Sequence, residues 1–159
     1  MMKVEIVCVG RLKEAYWRGA CAEYEKRLSR FCRFSVVELP ETRLPERPSE
    51  SQIAAALDGE GRKILSTAAG SVRIALCVEG KELSSEALAE QIASFGVRGF
   101  GSVSFLVGSS FGLSGSVKRN SDFLLSMSPM TFPHQLARVM LLEQIYRTFE
   151  IQNHGKYHK

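Results

Sequence analysis

At 159 residues the chain suits a single domain spanning 1–159, and its 45% hydrophobic content can build a core without metal or disulfide staples. Lys and Arg outnumber Asp and Glu by 21 to 17, a net +4 that permits a polyanionic partner without naming one. Its four cysteines form no CxxC pair and stand at no zinc-like spacing from a histidine; no apolar run approaches the roughly 18 residues of a membrane span. Met1-Met2-Lys3 runs straight into a strand with no signal-peptide pattern, so a cytosolic protein without metal or membrane partner is expected.

In chain order, Val4 to Val9 predicts a strand ending at Gly10. Leu12 to Phe31 predicts a helix, with Tyr16, Tyr24 and Leu28 at helical spacing. Phe34 to Leu39 is a second strand, followed by a proline-rich loop from Pro40 to Pro48. Ser49-Glu50-Ser51-Gln52 fits a capping box for a helix over Ile53 to Ala68, with a possible break at Gly59-Glu60-Gly61. Val72 to Val78 is so continuously apolar that burial on both faces is expected, and Gly80 is expected to turn the chain. Ser84-Ser85 opens a helix through Phe95. A glycine-rich link from Gly96 to Gly101 leads to a strand from Val103 to Val107. A short basic helix from Ser114 to Asn120, a strand from Phe123 to Ser126 and a helix from Pro133 to Phe149 complete the pattern; proline is tolerated at a helix start. Strands alternating with helices predict an α/β domain with a mainly parallel sheet and helices on both faces.

In such sheets ligands bind beyond the carboxyl ends of the strands. Three ends qualify: Leu76 to Gly80, Val107 to Gly112, and Leu125 to Phe132. Gly108-Ser109-Ser110-Phe111-Gly112 follows a buried strand as a phosphate or nucleotide loop would, yet it is neither a P-loop nor GxGxxG. A tight strand-to-helix turn accounts for it equally well. Met127 to Phe132 offers sulfur, hydroxyl and aromatic groups suited to a flat, partly polar ligand, or to filling a core. In the last helix Glu143 and Arg147 stand four apart in the favourable order, and Arg138 interrupts an otherwise apolar stretch. That helix is apolar nearly all round, which predicts burial on two sides, a subunit interface being one candidate. His134 reads as a loop histidine before it reads as a catalyst. Tyr157 among Lys156, His158 and Lys159 could stack on a base and grip phosphate, or simply be solvated.

Together, Val103 to Ser114, Leu125 to Ser128, Met130-Thr131-Phe132-Pro133-His134-Gln135-Leu136-Ala137-Arg138, Leu142-Glu143-Gln144-Ile145-Tyr146-Arg147 and Tyr157-His158-Lys159 closely resemble the ribosomal RNA large subunit methyltransferase H family, the small single-domain branch of the SPOUT methyltransferases. Val7 to Lys13 and Tyr24 to Leu28 fit it as well, so the resemblance spans the chain. It implies a homodimer with a C-terminal trefoil knot. The cofactor it implies is S-adenosylmethionine, held by Leu76, Gly108 and Met127-Ser128-Pro129-Met130-Thr131-Phe132. The reaction it implies is methylation of N3 of pseudouridine 1915, in helix 69 of 23S rRNA within the assembled 70S ribosome. Ser109 stands where the family commonly has a second glycine.

Transfer from a sulfonium needs alignment of donor and acceptor, exclusion of water, and loss of the N3 proton. His158 and Tyr157 are the expected proton-handling groups, with Arg138 or Arg147 positioning the base or stabilising its anion. Arg11, Lys13, Arg18, Lys118 and Arg119 are expected phosphate contacts. The rival reading is a non-enzymatic ribosome-associated protein that keeps the fold, for which Ser109 is the only support.

Overall fold

The alternation resolves, in a computed structural model that describes residues 1–159, into five strands and five helices. They are β1 (Lys3–Val9), α1 (Ala15–Leu28), β2 (Arg33–Leu39), α2 (Glu50–Thr67), β3 (Val72–Glu82), α3 (Ser85–Val97), β4 (Ser102–Val107), α4 (Gly115–Arg119), β5 (Phe123–Ser126) and α5 (His134–Gln152). The sheet order is β2-β1-β4-β3-β5, and every pair is parallel.

Side chains alternate across a strand, and β1 shows how this divides the core. Val4, Ile6 and Cys8 join Leu28 of α1, Ile92 of α3 and Leu141, Leu142 and Ile145 of α5 in a cluster of 21 buried residues. Val7 and Val9 point the other way, toward Ile64 of α2, Ala68 at its C-cap and Val117 of α4, in a cluster of 8. Each fully buried Leu or Ile contributes about 1.5–3 kcal/mol, so the α1/α3/α5 side dominates the stability. α5 lies in the middle of that side, flanked by α1 and α3. Those neighbours cover much of its apolar circumference and leave Leu136, Val139 and Met140 half-buried.

Helix starts follow their caps. Ser49 accepts from the Gln52 backbone N at 3.2 Å, and the Gln52 side chain accepts from the Ser49 N at 2.8 Å, completing the capping box. Ser84 and Ser114 accept from the third residue of α3 and α4 in the same way.

Four local expectations are corrected by long-range packing. α2 runs unbroken through Gly59-Glu60-Gly61. Gly61 is there for contact: a Cβ would meet the Ser114 Oγ at 2.7 Å and the Val117 Cγ2 at 3.0 Å, so the glycine lets α4 approach. Gly80 does not end β3. Leu76 and Lys81 both register with Leu125, so residues 77–80 bulge and pairing with β5 then resumes. A Cβ at Gly80 would lie 2.7 Å from the Leu124 carbonyl carbon. α1 is shorter than its apolar spacing suggested, and Tyr16, placed on that stripe, is 67% exposed. Pro133 serves as the N-cap of α5 rather than its first residue, and the helix continues three residues past Phe149.

Candidate active site

The carboxyl ends of β3, β4 and β5 and the first turn of α5 enclose a cleft of about 600 Å³ including its open mouth. β3 contributes Leu76, Cys77 and Val78; the end of β4 contributes Val107, Gly108, Ser109 and Gly112. Beyond β5 come Met127, Ser128, Met130, Thr131 and Phe132, and from α5 come His134 and Ala137. All three strand ends singled out in the sequence therefore meet in one place. Seven of the eight residues expected to hold a cofactor line the cleft; Pro129 does not.

Two tight loops shape it. At the end of β4 the Gly112 N donates to the Ser109 carbonyl at 2.8 Å, and Gly112 takes a positive φ of 87°. Gly108 closes this turn: a Cβ there would sit 2.2 Å from the Gly112 carbonyl oxygen. Gly108 is thus demanded by the loop's own backbone. Ser109 is buried in the same turn, at 7% exposure. In the second loop the Ser126 hydroxyl donates to the Ser128 carbonyl at 3.2 Å, and the Ser128 hydroxyl accepts from the Met130 N at 3.0 Å. The lining holds no Asp, Glu, Lys or Arg. Its titratable side chains are Cys77, whose thiol is pushed up by burial and then by Glu79, and His134.

The four residues expected to handle protons or charge lie elsewhere. Arg138, one residue past Ala137, turns away from the cleft and is 3% exposed. Its Nη1 donates to Glu38 Oε2 at 2.8 Å and its Nη2 to the Gly10 carbonyl at 3.1 Å. It thereby ties α5 to the carboxyl ends of β1 and β2.

Tyr157, His158 and Arg147 come together farther along α5. A turn with His154 at φ 55° and Gly155 donating to the Glu150 carbonyl at 2.7 Å folds the tail back. A Cβ at Gly155 would fall 1.7 Å from Glu150 Oε2 and 3.2 Å from the Glu150 carbonyl oxygen, so any other residue there would push the Glu150 side chain aside. The Tyr157 hydroxyl then reaches both oxygens of Glu143, at 2.9 and 3.0 Å, and Arg147 Nε donates to Glu143 Oε1 at 2.6 Å. Arg147 lies 4.9 Å from the Tyr157 ring centroid. Burial, then the Glu143 carboxylate, raises the Tyr157 hydroxyl above its ordinary value, so it stays a phenol and donates.

The tautomer of His158 follows from its partners. Its Nδ1 stands 3.0 Å from Arg147 Nη1 and its Nε2 2.7 Å from Glu86 Oε1. A guanidinium has only donors, so Nδ1 must present its lone pair, and the proton sits on Nε2 facing the carboxylate. The Glu86 carboxyl is in turn held below its usual value, chiefly by that hydrogen bond.

Cys77 and Val78 belong to a strand end that the sequence singled out but not to the named cofactor residues, and His134 and Ala137 were missed as cleft residues. The first two enter because the β3 bulge carries them there, and the last two because the first turn of α5 closes one wall. Only the proximity of His134 to the Met127–Phe132 loop signalled its place.

Comparison with known proteins agrees with this architecture. The family described as "Predicted SPOUT methyltransferase" matches residues 2–158. A protein of Bifidobacterium animalis subsp. lactis named ribosomal RNA large subunit methyltransferase H is 47% identical over 99% of this chain and 100% of its own. A protein of the same name from Clostridium botulinum is likewise 47% identical over the same shares. The solved structure of a tRNA (m1G37) methyltransferase from Aquifex aeolicus superposes with a TM-score of 0.53 at 10% identity, over 92% of this chain and 69% of that one, a likeness of fold alone. The chain belongs to the SPOUT methyltransferases and, within them, to the ribosomal RNA large subunit methyltransferase H family.

Proposed function

We propose that this chain transfers the methyl group of S-adenosylmethionine to N3 of pseudouridine 1915 in helix 69 of 23S rRNA, acting as a cytoplasmic homodimer on the assembled 70S ribosome. The observation that carries the reading is the uncharged cleft at the ends of β3, β4 and β5, in a chain 47% identical along its whole length to an enzyme named for large-subunit rRNA methylation. Gly108, Ser109 and Ser128 bring the cleft's loops to the lining, and Leu76, Met127 and Phe132 supply apolar surface for a flat base. The absence of lysine and arginine from the lining suits a cofactor that carries a sulfonium charge. When bound, S-adenosylmethionine supplies an activated methyl group, and what is left to the protein is orientation, exclusion of water and removal of the N3 proton.

The tail supplies the groups for the last task. His158 already carries its proton on Nε2 and keeps an Nδ1 lone pair on Arg147, so exchanging Arg147 for the acceptor would free a base without any change of tautomer. Within one copy the tail rests over Glu143 and Arg147 while the cleft lies at His134 and Ala137. The half-buried Leu136, Val139 and Met140 run between them, and we assign the homodimer contact to this stripe. The family reading also carries the trefoil knot, which fits a β3 that pairs with β5 on both sides of its bulge.

The test is transfer of labelled methyl from S-adenosylmethionine to 70S ribosomes, 50S subunits and protein-free 23S rRNA from a strain lacking this activity. Incorporation on 70S, mapped to the helix 69 pseudouridine, is the expected result. Cofactor binding without incorporation on any of the three would move the activity to another acceptor. Loss of cofactor binding as well would favour a non-enzymatic ribosome-associated role.

A further inference from the structure

Four serines and one threonine are buried in this chain: Ser104, Ser109, Ser114, Ser126 and Thr148. Buried hydroxyls are normally bonded, and four of these are. Ser104 donates to Glu5 Oε2 at 3.3 Å, Ser126 to the Ser128 carbonyl at 3.2 Å and Thr148 to the Gln144 carbonyl at 3.0 Å, while Ser114 accepts from the Val117 N at 3.1 Å. Ser109 is the exception. Its main-chain carbonyl accepts from the Gly112 N, but its hydroxyl has no partner within the chain.

That hydroxyl is not sealed off. The buried side-chain atoms that lack both a partner and access to solvent are Glu14 Oε2 and Arg138 Nε, and Ser109 Oγ is not one of them. Ser109 is only 7% exposed and lines the cleft beside Val107, Gly108 and Gly112, so the solvent its hydroxyl reaches is that of the cleft. The turn itself does not call for the hydroxyl. Gly108 and Gly112 are set there by close approach and by a positive φ, whereas Ser109 has no positive φ and its backbone accepts an ordinary side chain. The lining has no Asp, Glu, Lys or Arg, so neutral groups must meet every polar atom of a ligand. Of the neighbouring hydroxyls, Ser128 already accepts from the Met130 N. A ligand that fills the cleft expels the water that satisfies Ser109, and an apolar group set against it would lose affinity.

We infer that Ser109 is a further binding residue for the cofactor, its hydroxyl exchanging cleft water for a hydrogen bond to a polar group of S-adenosylmethionine. The inference rests on the proposed cofactor reading and adds to it a side chain that the resemblance leaves out. The residue that stands in place of a common glycine thus contributes a contact instead of obstructing one.

Two substitutions separate the hydroxyl from the space it occupies. Ser109→Ala removes the oxygen and keeps the Cβ; Ser109→Gly removes both. Each full-length variant is titrated with S-adenosylmethionine by calorimetry and melted with and without it. We expect both to bind about tenfold more weakly than the unaltered chain, with a smaller ligand-induced rise in melting temperature. Ligand-free Ser109→Ala should melt no lower than the unaltered chain, because the hydroxyl has no partner there to lose. With 70S ribosomes, Ser109→Ala should raise the KM for S-adenosylmethionine about tenfold and leave kcat within about twofold. Unchanged or tighter binding by Ser109→Ala overturns the inference, since the hydroxyl would be idle or in the way. A clearly lower melting temperature of ligand-free Ser109→Ala also overturns it, because the hydroxyl would then belong to the fold. Failure of the unaltered chain to bind S-adenosylmethionine strikes the cofactor reading and this inference together. Binding without methyl transfer, with the affinity loss in Ser109→Ala intact, strikes the proposed acceptor and supports this inference.

Discussion

The two ends of α5 solve opposite electrostatic problems. Its first turn closes a cleft lined by backbone, hydroxyls, thioethers and aliphatic groups, with no Asp, Glu, Lys or Arg. Its later turns carry a chain of charges, from Tyr157 through Glu143, Arg147 and His158 to Glu86, in which each group is satisfied by the next. The cleft is shaped by positions that admit only glycine, so its form is fixed by main-chain sterics. The tail is held by side-chain hydrogen bonds at partly exposed positions, each worth little and each exchangeable for another partner. A rigid uncharged receptor and a detachable charged arm are what a transfer reaction needs when the donor must be gripped and the acceptor is large.

The strongest way to break this contrast is at Gly108. A Cβ 2.2 Å from the Gly112 carbonyl cannot be absorbed by a side-chain shift, so Gly108→Ala must displace the loop. We expect a loss of at least about 3 kcal/mol of stability and of detectable cofactor binding, checked by thermal melting and titration calorimetry. A variant that binds normally would show that the loop is soft.

Alkali probes the scaffold that both ends share. Burial pushes Cys8 from 9.0 up to about 11, and burial likewise raises Cys32 to about 11. Such a thiol is protonated in the folded chain and ionises first in the unfolded one. The unfolded state therefore binds fewer protons, and stability falls as pH rises from 9 through 11, being fully present below 9. For Cys8 the rise from 9.0 to about 11 corresponds to roughly 2–3 kcal/mol. Melting temperatures between pH 8 and 11 should drop steeply, and Cys8→Ala should flatten the curve.

Glu143→Gln sharpens the view of the tail. It weakens the acceptor shared by Tyr157 and Arg147 and should cost about 1–2 kcal/mol. Trypsin cleavage after Lys156 should accelerate while cofactor affinity stays unchanged; a fall in affinity would mean that tail and cleft are coupled. The smallest effect is expected at Glu86. Its carboxyl is held below the usual 4.5 by His158, so the contact is complete above that pH and lost as pH falls through the lowered value. Glu86→Gln should raise amide exchange in residues 156–159 and leave the melting temperature in place, and acid should do the same to the unaltered chain.

Much of this was legible because it is local. The capping box at Ser49 and Gln52, the strand from Phe123 to Ser126 and the three converging strand ends follow from periodicity and cap chemistry over a few residues. What was not legible depends on partners far along the chain. Gly61 reads as a helix breaker until Ser114 and Val117 arrive beside it, and Gly80 reads as a turn until β5 pairs on either side of it. Arg138 looks like a free cation in an apolar helix, yet its partners, Gly10 and Glu38, are 128 and 100 positions away. Tyr16 keeps helical spacing with Tyr24 and Leu28 but lies where α1 has no neighbour on that side, and spacing alone does not say which members of a stripe are covered.

The parallel sheet also sets a timetable for biosynthesis. β1 pairs with β4 through Lys3 and Ser102, so the centre of the sheet stays open until nearly two-thirds of the chain has been made. The larger core waits longer still, because Leu141, Leu142, Ile145, Tyr146 and Phe149 all come from α5, which follows the other nine elements in the chain. A ribosome's exit tunnel still shelters those residues when the others have emerged. The nascent chain therefore displays an incompletely covered apolar sheet until α5 has emerged, and its dependence on chaperones should be concentrated in that interval.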